Sequence, residues 1–212
     1  MEKTYQRQTW EDNFGSDYLQ RNIYSPEQLD EFYKNRYGYS RTQLNNQFLK
    51  DISKDAKILE VGTNIGNQLL HLQNMGFKNL YGIEIQNRAI NYAKKRADNL
   101  NIIKGDALDI PFKDNFFDVV FTSGVLIHIS PKNINFAIDE IYRVSNSYIW
   151  GFEYYADEYI DLMYQGNKDL MWKANFMKIY QERKQNLRKI DELKVSYSDD
   201  KNLLDQMFLL KK

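Results

Sequence analysis

Short apolar runs alternate with amphipathic stretches through most of this chain. Lys57–Val61 (KILEV) reads as a buried strand. A helix near Asn67–Met75 follows, and Gly76 is a good helix stop. Strand Asn79–Ile85 leads to a helix near Arg88–Asp98, and a short strand Asn101–Lys104 leads to the turn GDALDIPF. Strand Phe117–Thr122 leads to a helix near Asn133–Val144, and strand Ser147–Glu153 follows. The strands are continuous apolar runs rather than alternating ones, as strands covered on both faces should be. The pattern predicts an α/β fold, a doubly wound Rossmann-like sheet.

The flanks differ. Residues 1–40 are polar yet rich in aromatics (Tyr5, Trp10, Phe14, Tyr18, Tyr24, Phe32, Tyr33, Tyr37, Tyr39), which suits short helices packed over something rather than a free tail. Leu44, Phe48, Leu49 and Ile52 have helical spacing over Arg41–Ile52. Asp169–Leu187 reads as one long helix. After it, Lys189–Tyr197 and Leu203–Lys212 are strand-like runs joined by the polar turn SDDKN, an antiparallel terminal hairpin. The organisation is a helical extension or lid over 1–40 and a single domain over 41–212.

Three consecutive strand ends carry candidate chemistry. Gly62 and Gly66 frame the turn GTNIG, and Asn64 is the non-glycine residue that best tolerates a left-handed backbone. Glu84 ends the second strand, where a carboxylate can accept from both hydroxyls of a ribose. After the third, Asp106 can accept from an exocyclic amine of adenine, and the Ala107 N–H can donate to a ring nitrogen. An adenosine pocket admits two ligand classes. A dinucleotide sets its pyrophosphate on the helix N-terminus and usually carries G-x-G-x-x-G, which GTNIGN lacks. S-adenosylmethionine has no phosphate, and Glu60 places negative charge where its cationic end would lie.

Composition narrows the partners. Lys+Arg 29 balances Asp+Glu 29, so no global charge favours a nucleic acid. Arg183, Lys184, Arg188 and Lys189 form a local basic group, more simply read as a solvated helix face. With Cys 0 and His 2 there is no thiolate chemistry, no disulfide and no metal-ligand cluster. The first residues form no apolar leader and no run approaches membrane-spanning length, so a cytoplasmic protein is expected.

At these residues the chain resembles class I S-adenosylmethionine-dependent methyltransferases: LEVGTNIG, YGIEI, GDALDIPF and FFDVVFTSGVLIHIS stand in that superfamily's order. The resemblance implies a seven-stranded sheet whose last strand is antiparallel. It also implies a cofactor site of Glu60, Gly62, Asn64, Gly66, Glu84, Ile85, Asp106, Ala107 and Ser123. WEDNFGSDYLQRN, EVGTNIG, SGVLIHISP and YIWGFEYYADEY with LMWKANF further resemble the methylases associated with pseudaminic acid biosynthesis. That likeness implies a small-molecule acceptor, a nonulosonic or nucleotide-linked sugar.

Methyl transfer from a sulfonium is an in-line displacement that alignment and partial desolvation can accelerate, and a base is needed only if the acceptor must lose a proton. His128 is the candidate base or hydroxyl-orienting group, against a packed loop histidine; His71 reads as structural. Glu153, Tyr154 and Tyr155 follow the fifth strand and are candidates for the acceptor, although strand alternation turns only some of them inward. Trp172 reads as a core residue or a pocket wall. Trp10, Phe14 and Tyr18 share a helix face, an anchor or a lid, with Arg21 placed to pair with a carboxylate. Two other readings stand beside the enzyme on small molecules: a non-catalytic S-adenosylmethionine-binding partner or sensor, and a protein methyltransferase. There is no NPPY-type signature for base amines.

Overall fold

The computed structural model describes residues 4–11, 19, 21–97 and 99–212. Phe14, Tyr18 and Asp98, invoked above, lie outside the described residues. Helices α1 (Tyr5–Glu11), α2 (Pro26–Tyr37) and α3 (Arg41–Leu49) precede the sheet. Ser25 and Ser40 each close a capping box with the glutamine three residues on, Gln28 and Gln43. Each box satisfies two otherwise unpaired donors, worth about 1 kcal/mol for the cap. Gly38, at φ +80°, ends α2 in the left-handed conformation and lets α3 turn back across it.

The order then runs β1 (Lys57–Val61), α4 (Asn67–Asn74), β2 (Asn79–Glu84), α5 (Asn87–Arg96), β3 (Asn101–Lys104), β4 (Phe117–Ser123), α6 (Ile134–Val144) and β5 (Ser145–Tyr154). A hairpin of β6 (Ile160–Tyr164) and β7 (Asn167–Lys173) follows, then α7 (Phe176–Arg183), β8 (Arg188–Ser196) and β9 (Leu204–Lys211). Seven strands make one sheet in the order β3-β2-β1-β4-β5-β9-β8. The first five are parallel, and β9 runs antiparallel between β5 and β8. This is the doubly wound sheet with an antiparallel terminal hairpin that the pattern predicts.

Consecutive residues of β1 enter different cores, which is why the run is continuously apolar. Ile58 packs with Leu44, Phe48, Leu69 and Trp150 under α2 to α5; Leu59 and Val61 pack with Ile138, Ile141 and Phe176 under α6 and α7. The sheet order reverses direction between β1 and β4, so a crevice opens there at the carboxyl ends of the strands.

One expected element is different. The stretch Asp169–Leu187 is not a long helix: its first part is β7, and only Phe176–Arg183 is helical. Asn175 caps that helix by accepting from Lys178 N, and Gln165 and Gly166 take the left-handed turn that returns β6 into β7. Alternation of Leu170 and Trp172 as buried residues is a strand signal that the helical spacing of the segment after them obscured. Among the described residues no helix is long and apolar enough to cross a membrane. The basic group near the end of α7 is structural: Arg183 and Lys184 both pair with Asp139, at 2.7 and 2.8 Å.

Candidate active site

A cavity of about 380 Å³ occupies the crevice. One half is built from strand ends. Gly62 follows β1 at φ +74°, and Asn64 takes φ +48°, the left-handed turn its chemistry permits. The Gly62 and Thr63 N–H groups both donate to the Ile83 carbonyl of β2, at 2.9 and 3.0 Å, which pins the turn to the neighbouring strand. A Cβ on Gly62 would stand 2.7 Å from Val125, so glycine lets the loop after β4 close over the turn. Gly66 starts α4 at φ +77° and packs toward Ile102 and Leu100, away from the cavity lining.

Two buried carboxylates flank that turn. Glu84 accepts from Asn64 N and Gln86 N, one bond of 2.9 Å to each oxygen, leaving each with lone-pair capacity. Burial pushes its pKa up, and backbone hydrogen bonds from Gln86, Asn64 and Ile85 pull it down. Glu60 accepts from the Thr63 hydroxyl at 2.7 Å. Burial raises it to about 8, against the Thr63 hydrogen bond and the charge of Arg41. Ile85, Ala107 and Ser123 line the same half. Asp106 lines it too, but its carboxylate is already engaged, by Arg7 of α1 at 2.7 Å and by Leu108 N at 2.9 Å.

Helix α1 thus lies across the cavity mouth. Trp10 reaches the His128 ring, 4.5 Å between centroids, and Tyr164 of the β6–β7 hairpin. His128 ends a short 3₁₀ turn (Leu126–His128) and its Nδ1 lies 2.8 Å from the Leu170 carbonyl. A carbonyl only accepts, so Nδ1 carries the proton and Nε2 keeps a lone pair. Burial pushes this histidine down to about 4, so it is neutral at physiological pH and a weak base. His71 is buried between Asp30, Thr42 and Asn45, away from the cavity.

The residues after β5 divide by strand alternation. Tyr154 lines the cavity, as does Phe152 before it. Glu153 and Tyr155 do not, a correction to their reading as acceptor contacts. Glu153 turns into the loop after β4, accepting from Val125 N and Ile127 N; burial lifts it to about 7 against those bonds and one from Thr122. The Tyr155 hydroxyl bonds Asp157 and Lys194. Trp172 is buried outside the lining, and Arg21 is exposed with its guanidinium 2.7 Å from the Gln165 amide, oriented to accept.

The other half of the cavity is lined by residues that the motif pattern did not single out as site residues. Leu29, Phe32, Tyr33, Arg36 and Tyr37 come from α2, and Asp205 from β9. Asp205 sits opposite Tyr154 in the antiparallel register and accepts from the Tyr37 and Tyr197 hydroxyls at 2.5 and 3.1 Å. Burial raises it to about 6, against those hydrogen bonds. Two signals were available: the capping box at Ser25, and one carboxylate inside the apolar run of the last strand.

Residues 59–147 match a family model described as a methyltransferase domain. A phosphoethanolamine N-methyltransferase of Plasmodium falciparum is 25% identical over 62% of this chain and 54% of its own length. A sterol 24-C-methyltransferase of Neurospora crassa is 31% identical over 44% of this chain and 26% of its own. The chain thus spans about half of the first relative and a quarter of the second. Magnesium protoporphyrin IX methyltransferase of Synechocystis, solved with bound S-adenosylhomocysteine, superposes with a TM-score of 0.70 at 13% identity, over 97% of both chains. Residues 59–147 are thus similar to a methyltransferase domain, and the chain shares its fold with a methyltransferase solved with S-adenosylhomocysteine, which makes S-adenosylmethionine the candidate cofactor.

The cavity fits that cofactor on its own terms. Among the described residues the Asn64 Oδ1 is buried with no hydrogen-bond partner and the Glu60 carboxylate is in no ion pair, as suits a ligand bringing a donor and a cation. A carboxyl group that titrates near pH 8 is mostly protonated at pH 7. A bound cation favours its ionised form, so cofactor binding should release a proton. Calorimetric titration at pH 7 in buffers of different ionisation enthalpy should give a slope approaching one proton, abolished in Glu60→Gln. A flat wild-type response would refute it. The same sign governs the ligand-free fold: the native state holds protons that the unfolded chain loses above about pH 4.5, so stability falls as pH rises through 8.

Proposed function

We propose that this chain methylates a small-molecule acceptor, a nonulosonic sugar of the pseudaminic acid type or a nucleotide-linked sugar. The observation that carries this reading is the two-part cavity, a strand-end half of carboxylates continuous with an aromatic half under α2. Bound S-adenosylmethionine supplies an electrophilic methyl group. Glu84 would hold the ribose, Asp106 and Ala107 the adenine edge, and Glu60 with the Gly62–Gly66 turn the methionine end. Phe32, Tyr37, Phe152 and Tyr154 offer flat apolar faces with polar rims, which suit the C–H face and hydroxyls of a sugar ring.

In this reading residues 1–40 act as a lid: the Arg7–Asp106 ion pair and the Trp10–His128 contact hold α1 over the mouth, where it excludes water from the transfer. His128, neutral and fixed through Nδ1, orients an acceptor hydroxyl through Nε2 rather than stripping its proton.

Transfer of labelled methyl groups from S-adenosylmethionine to pseudaminic acid, its nucleotide-linked form and phosphoethanolamine tests the reading. Turnover on either sugar is the expected result. Tight cofactor binding without turnover on any of these would replace the sugar reading, with the binding protein and the protein methyltransferase next in line. Exclusive turnover on phosphoethanolamine would move the acceptor to amines. NAD should not bind.

A further inference from the structure

The acceptor half contains a cation with no acidic partner. Arg36 projects from α2 into the cavity lining, and its guanidinium lies against three rings: Tyr197 at 4.5 Å, Phe32 at 5.6 Å and Tyr37 at 5.8 Å. Rings take the faces of a guanidinium and leave its in-plane N–H groups for other acceptors. Nε is buried with no hydrogen-bond partner among the described residues. Among the described residues no carboxylate comes within ion-pairing distance of Arg36, whereas Arg7, Arg143 and Arg183 each have one. Asp205 feels the charge of Arg36 but gives its oxygens to Tyr37 and Tyr197.

These contacts form a chain. Arg36 stacks on the Tyr197 ring, Tyr197 donates to Asp205, and Tyr37 donates to the same carboxylate. The chain ties α2 to the terminal hairpin and fixes the cation at the cavity wall. Arg41 makes a useful contrast. It is in no ion pair among the described residues, donates to the Tyr33 hydroxyl at 3.1 Å and is stacked on rings, but it is sealed in the core and absent from the lining, so no ligand reaches it.

We propose that Arg36 anchors an anionic group of the acceptor, a carboxylate or a phosphate, and that Tyr197 and Asp205 position it for that task. This rests on the reading of the cavity as a joint donor and acceptor site. A carboxylate or phosphate presents two or three oxygens to the remaining N–H fork, and the aromatic rings around it hold the body of the molecule.

The test uses the full chain saturated with S-adenosylhomocysteine, at constant ionic strength. The probes are N-acetylneuraminic acid for a sugar carboxylate, phosphoethanolamine for a phosphate ester, and N-acetylglucosamine as a neutral sugar. At least one anionic probe should bind and the neutral sugar should not. Arg36→Gln should weaken that binding by at least about tenfold, the loss of one charge-assisted hydrogen bond. Arg36→Lys should retain part of it, and Tyr197→Phe should weaken the anion while S-adenosylhomocysteine affinity stays unchanged. Which anion binds more tightly assigns carboxylate or phosphate. Equal anion binding in Arg36→Gln, or no anion binding by a protein that holds S-adenosylhomocysteine, overturns the proposal. Failure of wild-type protein to bind S-adenosylhomocysteine would instead overturn the methyltransferase reading, and this inference with it.

Discussion

Glu84→Gln is expected to lose roughly a hundredfold in affinity for both S-adenosylmethionine and S-adenosylhomocysteine. A buried carboxylate offers about four lone-pair sites, and the Glu84 oxygens accept from Asn64 N and Gln86 N at 2.9 Å with Ile85 N beside them, which leaves capacity for a ligand. Glutamine keeps one acceptor and replaces the other by a donor facing a donor. Hydrogen bonds to a charged acceptor contribute about 1.5–3 kcal/mol each, so weakening two costs about 2–3 kcal/mol in binding. The two ligands should suffer equally, because they share the adenosine half and differ only at sulfur. Calorimetry on both decides it. An affinity within a few-fold of wild type would mean that the ribose is held elsewhere. A loss confined to the sulfonium form would mean that Glu84 senses charge rather than hydroxyls.

The second large effect is on the fold. Gly62→Ala should lower stability by about 3 kcal/mol, from two sources. A left-handed φ of +74° costs an alanine about 1–2 kcal/mol. The added Cβ would also meet Val125 at 2.7 and 2.9 Å, and overpacking of this kind costs about 1–3 kcal/mol. Val125→Ala in the same chain removes the second source and leaves the first. Urea denaturation of the four variants closes a double-mutant cycle, with a coupling of at least about 1 kcal/mol. Additive effects would show that the loop after β4 moves aside freely and that glycine is there for φ alone.

The strand-end half of the cavity, proposed above as the cofactor half, was legible in the sequence because its parts are local. Each strand end carries its own residue, and the turn announces itself by Gly62, Asn64 and Gly66 within five positions. The acceptor half was not, because it is assembled across the chain. Arg36 and Asp205 are far apart in sequence, and only the insertion of β9 beside β5 brings Asp205 opposite Tyr154. Glu153 shows the converse error. Proximity in sequence suggested three acceptor residues, while the period of the strand turned Glu153 and Tyr155 away. The β6–β7 hairpin hid for another reason: the strand alternation of Leu170 and Trp172 runs directly into the helical spacing of Phe176–Arg183.

The split of the cavity between segments has an evolutionary reading. The matched stretch, residues 59–147, contains Glu60, Glu84, Asp106 and His128 but none of Arg36, Tyr37, Tyr154 or Asp205. On the proposed reading, donor recognition falls within this central cassette and acceptor recognition in its flanks. The Tyr37–Asp205 hydrogen bond ties the two flanks, helix α2 and the last hairpin, to each other. Proteins similar to parts of this chain are named for acting on molecules as unlike as phosphoethanolamine and a sterol, and on the same reading a swap of flanks rather than of cassettes would be the route to a new acceptor.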